Sequence, residues 1–300
     1  MSEAHTTHKV LAGHRVAGQP DDVHSLAINN TWFNRLYTRL ALKTFGRFYK
    51  RNGLCTPISK NKIIKAGRWI YLTEAATMRY IAQNTSIPVP QVYCSFVHKG
   101  RTFILMERID GEVIPSAWRR LGEEGRKKVW SQLKNMVEEM RSLKPSPGTG
   151  VESCVGGSLY YSLFNRGNNH FGPFATIQEF HLWLRKGFRL AEHPHPERLD
   201  VQERADLENM ESMHDGPWPP PVFTHADLNP CNILVRGDEV IGIIDWEFAG
   251  WYPHYWEYTS AWFGNLVRSE WQDTLAHFLQ KPSAAEFAME RTRNMGWGEF

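Results

Sequence analysis

The chain has 300 residues, 42% hydrophobic and 22% charged, enough for one large or two small domains with a sizeable core, which excludes wholesale disorder. A formal charge of +3 and a pI near 8.6 are mild and show no basic face dense enough to argue for nucleic acid. No apolar run reaches the ~18 residues of a membrane-spanning helix, so neither nucleic acid nor membrane is expected as a partner.

Residues 1–23 lack the apolar centre of a signal peptide and read as a mobile tail. His5, His8 and His14 have no accompanying metal pattern. Cys55, Cys94, Cys154 and Cys231 are scattered without metal spacing, which fits free thiols, a reducing compartment and a cytoplasmic location. From about His24 to Tyr49, Leu26, Trp32, Phe33, Leu36, Leu40 and Phe45 recur near a 3.6-residue period and predict a core helix. Its basic residues, Arg35, Arg39, Lys43, Arg47, Lys50 and Arg51, are read as a solvated face in preference to a membrane or nucleic-acid contact.

A hairpin is predicted around Lys60-Asn61, with Lys65 ending a short strand. A helix over Tyr71–Gln83 carries Glu74 in its first turn. A strand lysine followed by a helix glutamate is the pairing that positions a phosphate-binding ammonium. Ile87-Pro88-Val89-Pro90 excludes helix, and strands over Val92–Val97 and Thr102–Met106 follow. The second runs into Glu107-Arg108-Ile109-Asp110-Gly111, which has the character of a crossing between two lobes.

Residues Pro115 to Leu143 are mainly helical, with an apolar stripe that includes Trp118, Val129, Leu133, Val137 and Met140. A long irregular stretch extends from Lys144 to about Phe174 and is a place for part of an acceptor site. Helices are predicted over Thr176–Leu190, Val201–Met213, Tyr255–Val267, Glu270–Leu279 and Ser283–Asn294.

The richest stretch is Val222–Gly250. His225-Ala226-Asp227 is followed by Asn232, and two apolar runs joined by Gly237-Asp238 end at Asp245. A hairpin therefore collects a carboxylate, an amide and a second carboxylate at its ends. Phosphoryl transfer from magnesium-ATP needs one carboxylate facing the acceptor hydroxyl and oxygen ligands holding the metal on the phosphates. The order and spacing match the kinase catalytic loop. A hairpin whose polar residues merely form turns and caps is the bland alternative.

These residues, with Lys62–Gly67, Glu74-Ala75, Ser86–Pro90 and Ile104–Gly111, resemble the aminoglycoside phosphotransferase and choline kinase-like family, in particular its fungal small-molecule kinase-like branch. The resemblance implies an α+β, bilobal protein-kinase-like fold. Residues 24–110 would form a small β-rich lobe and 111–300 a larger, mainly helical lobe with the acceptor site. The implied cofactors are ATP and Mg2+, and the implied partner is a small-molecule acceptor. Lys65 would contact ATP phosphates, Glu74 would hold Lys65, and the backbone of Met106, Glu107 and Arg108 would read adenine. Asp227 would orient or deprotonate a hydroxyl (in preference to an amine), with Asn232 and Asp245 on magnesium and His225 as a scaffold.

Two departures stand out. Asp245-Trp246-Glu247 and the lack of a later Ala-Pro-Glu argue against a protein substrate. No G-x-G-x-x-G precedes Lys65, so a reduced or rebuilt nucleotide lid is expected, and a pseudokinase that binds without turnover is the second reading. Trp246, Trp251, Tyr252, Tyr255, Trp256 and Tyr258 are assigned to core packing before any aromatic or quaternary-ammonium ligand.

Overall fold

The computed structural model describes residues 25–161, 170–264 and 270–298. The expected N-terminal tail lies outside them. Helix α1 (Trp32–Thr44) starts at Thr31, whose hydroxyl accepts the Asn34 N–H at 3.2 Å, and passes into a 3-10 turn at Phe45–Phe48. The strands β1 (Cys55–Pro57) and β2 (Lys62–Gly67) form the expected hairpin. Helix α2 (Leu72–Asn84) follows, then β3 (Val92–His98) and β4 (Arg101–Glu107). These strands make one antiparallel sheet in the order β1-β2-β4-β3.

The orientation of α1 corrects the sequence expectation. Trp32 is 76% exposed, Phe33 67% and Leu40 51%, whereas Thr38 and Ala41 are buried. Small side chains let the helix lie close on the sheet: the Thr38 hydroxyl meets Cys94 Sγ at 3.4 Å. Arg35 donates to the Val97 carbonyl at 3.0 Å. Leu26 and Ile28 are buried as well, but ahead of the helix.

Beyond the sheet, β5 (Glu112–Val113), α3 (Ile114–Ala117) and α4 (Glu123–Ser142) open the larger lobe. Helix α4 buries Val129, Leu133, Val137 and Met140, the face its period predicts. The irregular stretch contains only β6 (Leu159–Tyr160) and β7 (His170–Phe171) among its described residues. Helix α5 (Ile177–Leu184) is shorter than expected. Lys186 and Gly187 adopt positive φ, the Gly187 N–H returns to the Leu182 carbonyl, and Phe188 packs on Trp297 from outside the helix.

After α6 (Val201–Asp215) come β8 (Val222–Thr224), β9 (Ile233–Arg236), β10 (Glu239–Ile243) and β11 (Gly250–Tyr252). β9 and β10 form a hairpin extended by β5, while β8 pairs with β11. Helices α7 (Trp256–Phe263), α8 (Glu270–Thr274) and α9 (Ala284–Trp297) complete the described chain. The expected continuation of α7 to Val267 lies outside the described residues.

The result is a bilobal α+β fold. One apolar core joins its halves: Met78 and Ile81 of α2 and Ile104 and Met106 of β4 share it with Val129, Leu133, Ile233 and Trp246. A hydrogen bond from Ile243 N–H to the Pro88 carbonyl, 2.8 Å, adds a direct tie. The hairpin carrying the polar residues is thereby seated against the sheet carrying Lys65. Trp246, Trp251, Tyr252, Tyr255, Trp256 and Tyr258 are all buried, as the packing assignment expects, and none presents a free face for an ammonium ligand.

Candidate active site

Lys65 lies in the middle of β2, with its ammonium facing the cleft between the lobes. Its Nζ donates to Glu74 Oε1 at 2.9 Å, Asp245 Oδ1 at 2.7 Å and Glu247 Oε2 at 3.2 Å. Lys65 and Glu74 are buried. Glu74 occupies the first turn of α2, where unsatisfied backbone N–H groups favour a negative charge. Burial by itself would lower the Lys65 pKa, but Glu74, Asp245 and Glu247 hold it well above the ordinary lysine value. Glu74 moves upward, because burial and the charges of Asp245 and Glu247 outweigh the pull of Lys65.

Three carboxylates thus surround one ammonium, and oxygens of Glu74, Asp245 and Glu247 lie within 4.8 Å of one another. One cation faces three carboxylates, Glu74 buried and Asp245 and Glu247 partly exposed, so the cluster suits an additional divalent cation. Glu247 was missed as a site residue by sequence reasoning. Its signal was its position two residues after Asp245, on a 3-10 turn that aims both side chains at Lys65.

Asp227 and Asn232 lie ahead of the first strand of the hairpin, at the same open end as Asp245. Asp227 Oδ1 accepts from Asn229 Nδ2 at 2.9 Å and Oδ2 from Asn232 Nδ2 at 2.7 Å. Asn232 Nδ2 also reaches the Asp227 carbonyl, closing the loop on itself. Burial pushes the Asp227 carboxyl up to about 7; Asp245 and Glu247 add to the rise, and the two asparagine bonds oppose it. The Ile244 N–H donates to the Asn232 carbonyl at 2.9 Å, so Asn232 and Asp245 are brought together across the base of the hairpin.

His225 is fully buried and is pushed down to about 4 by burial, so its ring is neutral. Its Nδ1 accepts the Asp227 N–H at 3.2 Å, which leaves Nε2–H to donate to the Ile244 carbonyl at 3.1 Å. The ring therefore ties the loop to the end of the hairpin. Glu257 of α7 supplies a second tie that sequence reasoning missed. Its carboxylate accepts the N–H groups of His225 at 2.7 Å and Ala226 at 3.1 Å. Ala226 is held at φ +64°, a left-handed conformation that disfavours a Cβ by roughly 1–2 kcal/mol. Asp245 is also left-handed, at φ +65°. A buried acid within an aromatic helix was the available signal for Glu257.

A cavity of about 250 Å³ opens beside Lys65, lined by Cys55, Ile63, Met78 and Leu234, with Met106, Glu107 and Arg108 along its edge. All of the site residues chosen from sequence therefore meet at one cleft or line the loop at its end. Among the described residues no strand precedes β1 in the sheet, and only the short turn containing Asn52 reaches the cavity from that side. Burial pushes the Cys55 thiol up to about 11, so it is a protonated wall of the cavity.

A cleft between a sheet with a Lys–Glu pair and a hairpin bearing Asp, Asn and Asp defines a protein of the kinase-like phosphotransferase class. The chain belongs to the phosphotransferase enzyme family, whose model matches residues 71–293. Solved structures with the same fold include a thermostable mutant of the aminoglycoside phosphotransferase APH(4)-Ia in its apo form, 16% identical with a TM-score of 0.54, covering 85% of this chain and 87% of that one. The gentamicin complex of APH(2")-IIa is 16% identical at a TM-score of 0.50, with 88% and 86% coverage. ADP-bound APH(2'')-Ib is 15% identical at 0.51, with 86% and 85% coverage. No curated protein matches the sequence.

Proposed function

We propose that the chain transfers the γ-phosphate of ATP to a hydroxyl of a small molecule, in preference to an amine. The observation that carries this reading is the pinning of Lys65 between Glu74 and Asp245, at 2.9 and 2.7 Å, at the mouth of an apolar cavity. ATP with magnesium is the cofactor pair of phosphotransferases of this family. The acidic excess around Lys65 fits the metal, with Asn232 and Asp245 as its proposed holders and Glu247 beside them.

In this reading Lys65 exchanges Asp245 for phosphate oxygens, and Glu74 keeps its ammonium from swinging away. The backbone of Met106, Glu107 and Arg108 borders the adenine end. Asp227, its two oxygens fixed by Asn229 and Asn232, takes the proton of the acceptor hydroxyl as its oxygen bonds to the γ-phosphorus, the bond from that phosphorus to the β-phosphate oxygen breaks and ADP leaves with the electron pair. Bound magnesium would neutralise charge on the phosphates. His225 and Glu257 hold the loop and take no part in moving the acceptor's proton. The lobes divide near residue 110, with the acceptor reached from the larger lobe.

The short cover over the cavity favours a second reading, a binding protein of the same fold without turnover. Calorimetric titration with ATP, with and without magnesium, separates the two when followed by phosphate-transfer assays on small alcohols and amines. Magnesium-dependent binding followed by transfer supports the enzyme. Binding without transfer to any acceptor favours the second reading, and no binding in either condition removes the nucleotide from both.

A further inference from the structure

Between Asp22 and Glu74 the sequence holds no acidic residue against ten lysines and arginines. The net charge of the whole chain is only +3, so the remainder is net negative and the cationic charge is concentrated in this one segment. Of the ten, only Lys65 belongs to the candidate active site.

The same segment carries an unpartnered apolar face. Along α1, Trp32, Leu36 and Leu40 recur every four residues with Phe33 beside them, which places them on one side of the helix. That side points away from the sheet, because Thr38 and Ala41 face it. The apolar run continues through Phe45, 53% exposed, and Phe48, 82% exposed. Arg39 and Lys43 lie beside the row on the helix, Arg47 stands in the turn, and Lys50 and Arg51 are exposed just after it. Among the described residues nothing covers this face. Large aromatic and aliphatic side chains exposed together, rimmed by cations and without anions, are unfavourable in water and mark a contact surface.

We infer that the outer face of α1 and the turn after it dock peripherally on an anionic lipid bilayer, with Trp32, Phe33, Leu36, Leu40 and Phe48 entering the interface and Arg39, Lys43 and Arg47 meeting the headgroups. Charge complementarity selects this occupant. A second copy of the chain would bring like charges together. A nucleic acid would match the charge but leave Leu36 and Leu40, at the centre of the row, without a use. Interfacial helices combine Trp, Phe and Leu with Lys and Arg in this manner. None of the described helices is long and apolar enough to span a membrane, so the contact is with the surface alone.

The test is co-sedimentation of the full chain with vesicles of phosphatidylcholine alone and of phosphatidylcholine mixed with phosphatidylserine. Binding to the mixed vesicles should exceed that to the neutral ones by at least about tenfold and weaken at high salt. Each basic side chain near an anionic surface strengthens binding about fivefold. The triple reversal Arg39→Glu, Lys43→Glu, Arg47→Glu should therefore reduce binding by at least about 100-fold. Phe48→Ser alone, at a side chain with few contacts to lose, should also weaken it while leaving thermal unfolding unchanged.

Equal binding to both vesicle types, or none to either, overturns the inference. So does a triple variant that binds like the parent. RNA binding without vesicle binding would assign the surface to nucleic acid. A dimer in sedimentation equilibrium that Phe48→Ser dissolves would assign it to a second copy. If Phe48→Ser lowers the unfolding temperature by several degrees and leaves vesicle binding intact, the chain covers the face itself, and the inference fails.

Discussion

Lys65 Nζ lies 2.7 Å from Asp245 Oδ1, closer than to Glu74, its neighbour on the sheet side, although 180 positions of sequence separate the pair. The cleft is therefore closed on itself by a salt bridge that nucleotide phosphates and a metal would have to replace. Removing the metal-side partner tests this. Asp245→Ala should weaken nucleotide binding in the presence of magnesium by at least about tenfold, since a carboxylate ligand to a divalent cation is lost. Calorimetry reads the effect directly, and an affinity equal to that of the parent in magnesium would show that Asp245 holds no metal.

Asp227→Asn should lower phosphate transfer by about 10²–10⁴-fold, the range for loss of a general base, with nucleotide binding little changed. The same substitution should stabilise the fold in a pH-dependent way. The Asp227 carboxyl rises from 3.8 to about 7 on folding, so its ionised form is disfavoured in the native state. That cost is absent below the unfolded value, grows as pH rises between the two and is complete above about 7. The unfolding temperature of the variant should thus exceed that of the parent increasingly from pH 4 to 7. A constant difference would show that Asp227 is not a perturbed carboxyl.

Activity should follow the same group. With its pKa held at about 7, Asp227 is protonated below neutrality, and a protonated carboxyl cannot accept the acceptor's proton. The transfer rate at limiting acceptor should fall about tenfold per pH unit on the acid side of 7 and level off above it. A flat profile from pH 5 to 8 would assign the proton elsewhere.

Glu257→Ala should cost stability and turnover together. It leaves the buried N–H groups of His225 and Ala226 without their acceptor, at about 1–3 kcal/mol for each unsatisfied group. Ala226 would also lose the contact that holds it in a left-handed conformation. Scanning calorimetry should show a lower unfolding temperature, and kinetics should show reduced kcat with the KM for nucleotide nearly unchanged. A normal kcat in the folded variant would remove Glu257 from the positioning of the loop.

The hairpin and its polar ends were legible because their pattern is local. Asp227, Asn232 and Asp245 lie within one turn-connected unit, and strand alternation with a Gly-Asp turn needs no distant partner to be recognised. Lys65 and Glu74 were legible for the same reason, a strand and the helix after it. Less legible were the places where a second element decides. The period of Trp32, Leu36 and Leu40 announced an amphipathic helix but not which side would face the sheet; Thr38 and Ala41 took that side because small residues allow close approach. The end of α5 was hidden as well, since Phe188 keeps the apolar period while its backbone has already turned at Gly187.

The sequence alone determined the family and the order of the main helices and hairpins, and it supplied the proposed set Lys65, Glu74, Asp227, Asn232 and Asp245, because spacing within a strand, turn or helix is written into neighbouring residues. Only the tertiary structure decided that Glu247 joins the cluster around Lys65, that Glu257 reaches from α7 to hold the loop, and that the apolar face of α1 looks outward. Those outcomes depend on which surfaces meet across dozens of residues. Local periodicity sets the shape of each element, but burial is settled by the element packed against it.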